Sequence, residues 1–548
     1  MPYNLIILSL YFVLITLSVI GYGLILNRFI GEKKSPINFG YLGLLGFFLL
    51  TIYSYASNLV IAHGVYHNTI ILILGIIAFF ALVKNEISLK NNQLKLLFFV
   101  FFFLFCGLFI SKNHDDFSYY HFPYTYYISQ HSLIFGVGQF GHGFRTPSSI
   151  FYLNSIFYLP GIKYFLLNGG AVYIFGFSNF VLYNLIRDHL NKKEFNHILF
   201  LSLLSILYIN TTFARLSEHG TDRSALILIF LMSIFYLKSL NFEKKQLSQR
   251  YFNNYYTKLS ILFAIIISLK AFYIIYSVIF LLWFFQIRKI FKFNDLLKLV
   301  LRNYYTYLIL TLFLFTIFTI FTNTGCLIYP ARFTCFENLS WAISLDQVDQ
   351  MYLWYEQWSK GGAGPNFRVE NPEIYVSNFN WVSNWFEIYF FNKVSDNILV
   401  IMTISIIVIL LFRFNQNEVE IKKYDYKFFY LLILLLFVEW FYNHPALRYG
   451  GYTLLALIFF IPVSIYLSKY KFDYFVSKKK TYFILLLVII IFVSRNINRI
   501  DKEYEQYGYN PFGSAFFYLN KDGFILNDLV KSKYTKKMKN TKYLIIDK

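Results

Sequence analysis

The sequence predicts an all-α polytopic membrane protein of about fourteen transmembrane helices, with a sizeable loop at 323–395 and a polar C-terminal tail. Three observations predict it. The 548-residue chain is 57% hydrophobic and 14% charged, with a mean hydropathy of +0.50. A water-soluble globule cannot hide that much apolar surface. Several stretches, among them Asn4–Leu26 and Tyr304–Gly325, lack charge over the ~18 or more residues a helix needs to cross hydrocarbon. Finally, basic residues alternate between successive connections. Strands of a β-barrel would instead show short alternating segments.

By apolar length the spans lie near 4–27, 39–61, 68–84, 94–112, 165–186, 196–213, 223–239, 257–270, 271–287, 303–322, 396–413, 428–443, 450–468 and 480–495. Met1–Asn4 carries no basic side chain and no A-x-A-like site follows, so the first run reads as a span rather than a cleavable signal. Alternate short connections hold 28 Lys and Arg against 7 in the opposite set. The richer set belongs in the cytoplasm, which puts both termini outside. This topology requires 257–287 to be two short helices meeting at Lys270, because a single helix would carry the basic cluster 288–302 outside. The chain then divides into a membrane domain, 1–495, and a tail, 496–548, expected on the outer side despite Arg495 and Arg499. Within the membrane domain lie a first outer loop, 113–164, and the long outer loop, 323–395.

The net charge of +21 would suggest nucleic acid in a soluble protein. Here cytoplasmic loops account for it, and no basic-helix or zinc-finger spacing argues otherwise, so no nucleic-acid partner is expected.

The reactive residue types gather in the outer connections. His114, Asp115 and Asp116 leave an apolar span together, with His121 close behind. Adjacent carboxylates repel, which raises one pKa and suits a general base or a pair of metal ligands. A hydrophilic span end is the plain alternative. Arg145 follows, before an apolar stretch ending at Pro160 that reads as a helix lying in the interface. Arg145 suits a phosphate or an interfacial anchor. The second outer connection holds Glu218, His219 and Asp222, with Thr221-Asp222 also readable as a helix cap. Lys270 and Arg448, the latter followed by Tyr449, stand at span ends, where cations either snorkel or converge on a lipid phosphate. The long loop carries Trp354, Trp358, Trp381 and Trp385, which suit stacking on sugar rings or anchoring at the interface. Cys326 and Cys335 lie in it nine apart, and an oxidising compartment would pair them, two free thiols being the alternative.

This order of parts resembles the GT-C superfamily of membrane glycosyltransferases, which use polyprenyl-phosphate-linked sugars. The resemblance rests on His114-Asp115-Asp116-Phe-Ser-Tyr-Tyr, the run from Arg145-Thr-Pro147 to Pro160, Thr221-Asp222, Lys270 and Arg448-Tyr449. It spans roughly residues 100–450. It implies that Asp115 or Asp116 is the base that deprotonates the acceptor hydroxyl. Asp222 would support that base, or the three carboxylates would hold a divalent ion, Mg2+ or Mn2+. Arg145, Lys270, Arg448 and Tyr449 would hold the lipid phosphate, with His114, His121, Glu218 and His219 in support. The partners implied are membrane lipids, a polyprenyl-phosphate-linked sugar, and a glycan, lipid or protein acceptor. The location implied is a bacterial inner membrane, with the site facing the periplasm. The acidic pair is Asp-Asp where protein O-mannosyltransferases carry Asp-Glu, and four spans precede it where one is usual. Two other classes compete. A surface-polysaccharide polymerase or ligase would rely on Arg and His without an early acidic pair. A lipid-linked-sugar transporter or flippase would show mid-span charges and repeat symmetry, which the sequence lacks.

Overall fold

The structure, a computed structural model, describes residues 5–30, 38–83, 91–109, 116, 120–213, 220–240, 249–288, 291–364, 369–413 and 426–507. Among them it is helical, without a strand. Each predicted span coincides with a helix. Among the described residues, eight helical segments are long and apolar enough to cross a membrane by length and composition: 5–29, 39–58, 65–83, 169–191, 220–240, 304–324, 382–413 and 474–502. Shorter apolar helices occupy 93–108, 197–212, 271–287 and 451–467.

The chain opens with α1 (Leu5–Ile30), α2 (Phe39–Asn58), α3 (Val65–Val83) and α4 (Asn91–Phe105). Asn38 starts α2 by accepting the Tyr41 amide at 2.8 Å. The first three helices pack through glycines. A Cβ on Gly46 would strike the Val19 carbonyl, and one on Gly21 would strike that of Gly75. Small residues let backbones approach this closely, the usual device of helix association in lipid. The far face of α3 exposes Tyr66, Ile70, Ile73, Leu74, Ile77 and Phe80 at helical spacing. Such a face is a liability in water and a lipid contact in a bilayer. The protein is therefore membrane-embedded.

The first acidic connection is built of short helical pieces. It folds into α5 (Phe122–Gln130), two single turns, and α6 (Ser149–Ser155), every residue of which is buried. The centre is made by α7 (Gly169–Asn191), α8 (His197–Thr212) and α9 (Gly220–Leu240), buried over most of their length. Next come α10 (Gln249–Leu269), a 3-10 turn at Ala271–Tyr276, and α11 (Ser277–Ile287). Lys270 is extended, at φ −159° and ψ 115°, and breaks the run. The ring pairs Phe252–Trp283 (5.6 Å), Tyr256–Phe280 (5.9 Å) and Phe263–Phe280 (6.1 Å) run α11 back along α10. The pair is thus a hairpin with Lys270 at its turn.

The amphipathic α12 (Phe293–Arg302) leads to α13 (Tyr304–Thr324), which Gly325 ends in the left-handed region at φ 78°. The long connection beyond is pinned by the Cys326–Cys335 disulfide and carries α14 (Leu345–Lys360), α15 (Pro372–Val376) and α16 (Val382–Trp385). A π-helical stretch, Phe386–Val394, runs on into α17 (Ser395–Arg413). The bundle closes with α18 (Lys427–Asn443), α19 (Gly451–Leu467) and α20 (Tyr474–Tyr507). The last helix continues past the expected boundary at 495, and the tail from 508 on lies outside the described residues.

Candidate functional site

Four charged side chains from distant parts of the chain meet at one end of the bundle. Asp222 stands in the first turn of α9, where the helix dipole favours an anion. Its Oδ1 accepts from Lys270 Nζ at 2.5 Å, with the two side chains 13% and 23% exposed. Arg448 Nη1 donates to Asp116 Oδ2 at 3.3 Å, and its Nε lies 3.8 Å from Asp222 Oδ2. The arrangement is therefore two carboxylates and two cations, with Arg448 between the acids. Arg448 Nε makes no hydrogen bond among the described residues.

Aromatic rings hold the cations. The Arg448 guanidinium lies 4.4 Å from the Trp358 ring centre and 5.5 Å from that of Tyr449. Lys270 Nζ lies 4.8 Å from the Tyr449 ring. Such contacts favour a cation most where water is excluded. The turn that carries Arg448 is fixed from several sides. Tyr273 donates its hydroxyl to the Arg448 carbonyl at 2.6 Å, and the Leu447 amide donates to the Tyr389 hydroxyl at 2.9 Å. The indoles of Trp440 and Trp385 donate to the carbonyls of Ala446 (2.9 Å) and Pro445 (3.1 Å). Gly450 ends the turn at φ 128°, where a Cβ would strike the Tyr276 hydroxyl.

Burial opposes the Arg448 charge, but Tyr449, Asp222 and Asp116 hold its pKa well above the usual value. Burial, with Asp116 and Asp222 nearby, pushes the Tyr120 phenol well up, so it stands protonated beside the acids. His142 is lowered by burial, against the pull of Asp116, and is neutral at pH 7. His444, beside Lys360 and Lys270, is lowered to about 4, chiefly by burial.

The other expected site residues are placed as follows. Tyr449 lies between the two cations. Arg145 bonds elsewhere. It donates to the Gly138 carbonyl (3.2 Å), the Tyr329 hydroxyl (3.4 Å) and Gln347 Oε1 (2.7 Å), tying the first connection to the long one. His121 is buried in the wall of a neighbouring cavity of about 20 Å3, with Thr125, Asn154, Asn168 and Thr221. That volume holds about one water. His114, Asp115, Glu218 and His219 lie outside the described residues.

Among the described residues no group of three His, Cys, Asp or Glu could hold a metal ion. Asp116 and Asp222 face the cations Arg448 and Lys270. Tyr120 and Tyr273 were not singled out in the sequence. Their signal was lost among 48 tyrosines and an aromatic content of 22%.

A family model described as "Domain of unknown function (DUF8201)" matches residues 5–455. No curated protein and no solved structure matches the chain.

Proposed function

The chain belongs to the DUF8201 family, whose description assigns no activity, and from its residues we propose that it is a GT-C-type membrane glycosyltransferase. It moves a sugar from a polyprenyl-phosphate donor to an acceptor hydroxyl on the extracytoplasmic face of a bacterial inner membrane. All fourteen predicted helices cross the bilayer in this reading, and the basic connections lie inside.

The observation that carries the reading is Arg448, set between Asp116 and Asp222 with Lys270 beside it and one guanidinium N–H unsatisfied. The phosphodiester of such a donor, which departs as a monoester, is a ligand that uses such a fork and a neighbouring ammonium at once. The donor phosphate takes hydrogen bonds from Arg448 and Lys270. Asp116, 3.3 Å from Arg448 and more exposed than Asp222, is the carboxylate assigned as the base. It accepts the proton of the acceptor hydroxyl. The acceptor oxygen forms a bond to the anomeric carbon from the face opposite the phosphate. The bond between that carbon and the phosphate oxygen breaks, its electron pair stays on the phosphate, and the configuration inverts. Arg448 and Lys270 stabilise the charge that develops on the leaving group. Asp222 keeps Lys270 aimed, and Trp358 backs the guanidinium.

The test is sugar transfer in membrane vesicles supplied with a panel of polyprenyl-phosphate sugars. Asp115→Asn with Asp116→Asn abolishes transfer while insertion and abundance stay at wild-type levels. Transfer at the wild-type rate in that double variant would remove the proposed base.

A further inference from the structure

A second cation stands at the other end of the same two helices. Thirteen residues of α9 separate Asp222 from Phe235, and twelve of α10 separate Lys270 from Lys258. At 1.5 Å per residue these are about 20 and 18 Å. Lys258 is therefore level with the last turns of α9 and the first turn of α2, displaced from the site above toward the opposite side of the bundle.

Lys258 Nζ lies 5.6 Å from the ring centres of Tyr41 and Phe235 and 5.9 Å from that of Tyr255. It has no carboxylate within ion-pair distance and no hydrogen bond among the described residues. Asp188 attracts it only across space, and Lys238 repels it. Tyr41 is 6% exposed, and its hydroxyl has no hydrogen-bond partner among the described residues. The same residue lies in the first turn of the twenty-residue α2, whose dipole is positive at that end. A lysine amine with no ion-pair partner, an orphaned phenol and a helix start together suit an anion with oxygen acceptors.

The level in the membrane says which anion. Thr257, next to Lys258, accepts from Asn303 Nδ2 at 3.4 Å. Asn303 directly follows α12, which exposes Phe293, Leu297 and Leu301 on one side and carries Asp295, Lys298 and Arg302 on its polar side. A short amphipathic helix of this kind lies at the boundary of headgroups and acyl chains. Lys258 thus stands near the starts of α2 and α13, the level at which those helices would enter the headgroup region. We propose that Lys258 and Tyr41 form a binding site for the phosphate of an anionic phospholipid, in the leaflet opposite the Asp222–Lys270–Arg448 cluster.

Native mass spectrometry of the full chain released from detergent micelles tests this. Wild type, Lys258→Met and Tyr41→Phe are each titrated with phosphatidylglycerol, phosphatidylcholine and inorganic phosphate. The expected result is a phosphatidylglycerol adduct weakened at least about tenfold by Lys258→Met and less by Tyr41→Phe. Phosphatidylcholine binding is then equal in all three proteins. Equal phosphatidylglycerol affinity across the three proteins overturns the site. Displacement of that lipid by millimolar inorganic phosphate overturns the lipid as its ligand. Tyr41→Phe removes one oxygen and no charge, so if Lys258→Met yields no folded protein, unchanged affinity in Tyr41→Phe is by itself the overturning result.

Discussion

Replacing Lys270 with methionine removes the ammonium 2.5 Å from Asp222 Oδ1 and leaves a carboxylate that is only 13% exposed. Breaking a buried ion pair from one side costs about 3–5 kcal/mol, because the remaining charge is uncompensated. Arg448 Nε, 3.8 Å from the other carboxylate oxygen, retains part of the compensation, so the expected cost is near the lower end, about 3 kcal/mol. Asp222→Asn leaves Lys270 over the Tyr449 ring at 4.8 Å, a contact worth about 1 kcal/mol, and costs about 2 kcal/mol. The double variant pairs two uncharged side chains and costs no more than about 2 kcal/mol. The coupling between the two positions is then about 3 kcal/mol, well above that of independent sites. Unfolding of the full chain by increasing SDS in mixed micelles, followed by tryptophan fluorescence, measures all four corners of the cycle. Costs that add to within about 0.5 kcal/mol would refute the pairing.

Other perturbations follow from the same packing and electrostatics. Gly46→Ala places a methyl against the Val19 carbonyl and drives α1 and α2 apart; a loss of about 1–3 kcal/mol is expected in the same unfolding assay, whereas Gly64→Ala, which meets nothing within 4 Å, stays within about 0.5 kcal/mol. His63, buried between the Ser57 (2.8 Å) and Ser155 (2.6 Å) hydroxyls, is lowered to about 3 by burial and by His67. The unfolded chain binds that proton near pH 6.5 and the folded chain does not until about pH 3, so stability falls as the pH drops through this window. His63→Gln should flatten that acid arm in thermal melts recorded from pH 7 to pH 4; an unchanged slope would assign the arm to other groups. His444, lowered to about 4, adds to the same slope with the same sign.

How much was legible in the sequence differs from residue to residue, for physical reasons. The break at Lys270 was readable because charge alternation required a turn there, and the structure has α10 and α11 folding back at that residue. Asp222, Lys270 and Arg448 stood out because charges are costly at span ends. Their partnership was not local: Asp116 and Arg448 are 332 residues apart. Arg145 was read as a candidate phosphate ligand, but its partners Tyr329 and Gln347 lie 184 and 202 residues away, and no local pattern announces them. The end of α20 was misplaced because the apolar-length criterion measures hydrocarbon, and residues 495–507 continue the helix with polar side chains. The α6 segment was legible as an apolar run, but not that the protein itself covers its residues. Trp358 was visible only as one aromatic among many, and its place against Arg448 came from the packing of α14.

The central claim, that Asp116 serves as base while Arg448 and Lys270 hold the donor phosphate, is tested most directly by one measurement. It is the single-turnover rate of sugar transfer as a function of polyprenyl-phosphate-sugar concentration, recorded for wild type, Asp116→Asn and Arg448→Lys. The account predicts that Asp116→Asn lowers the saturating rate by about 10²–10⁴-fold with little change in the half-saturating donor concentration. Arg448→Lys, which loses the planar fork, raises that concentration at least about tenfold. A wild-type saturating rate in Asp116→Asn, or an unchanged half-saturating concentration in Arg448→Lys, would contradict it.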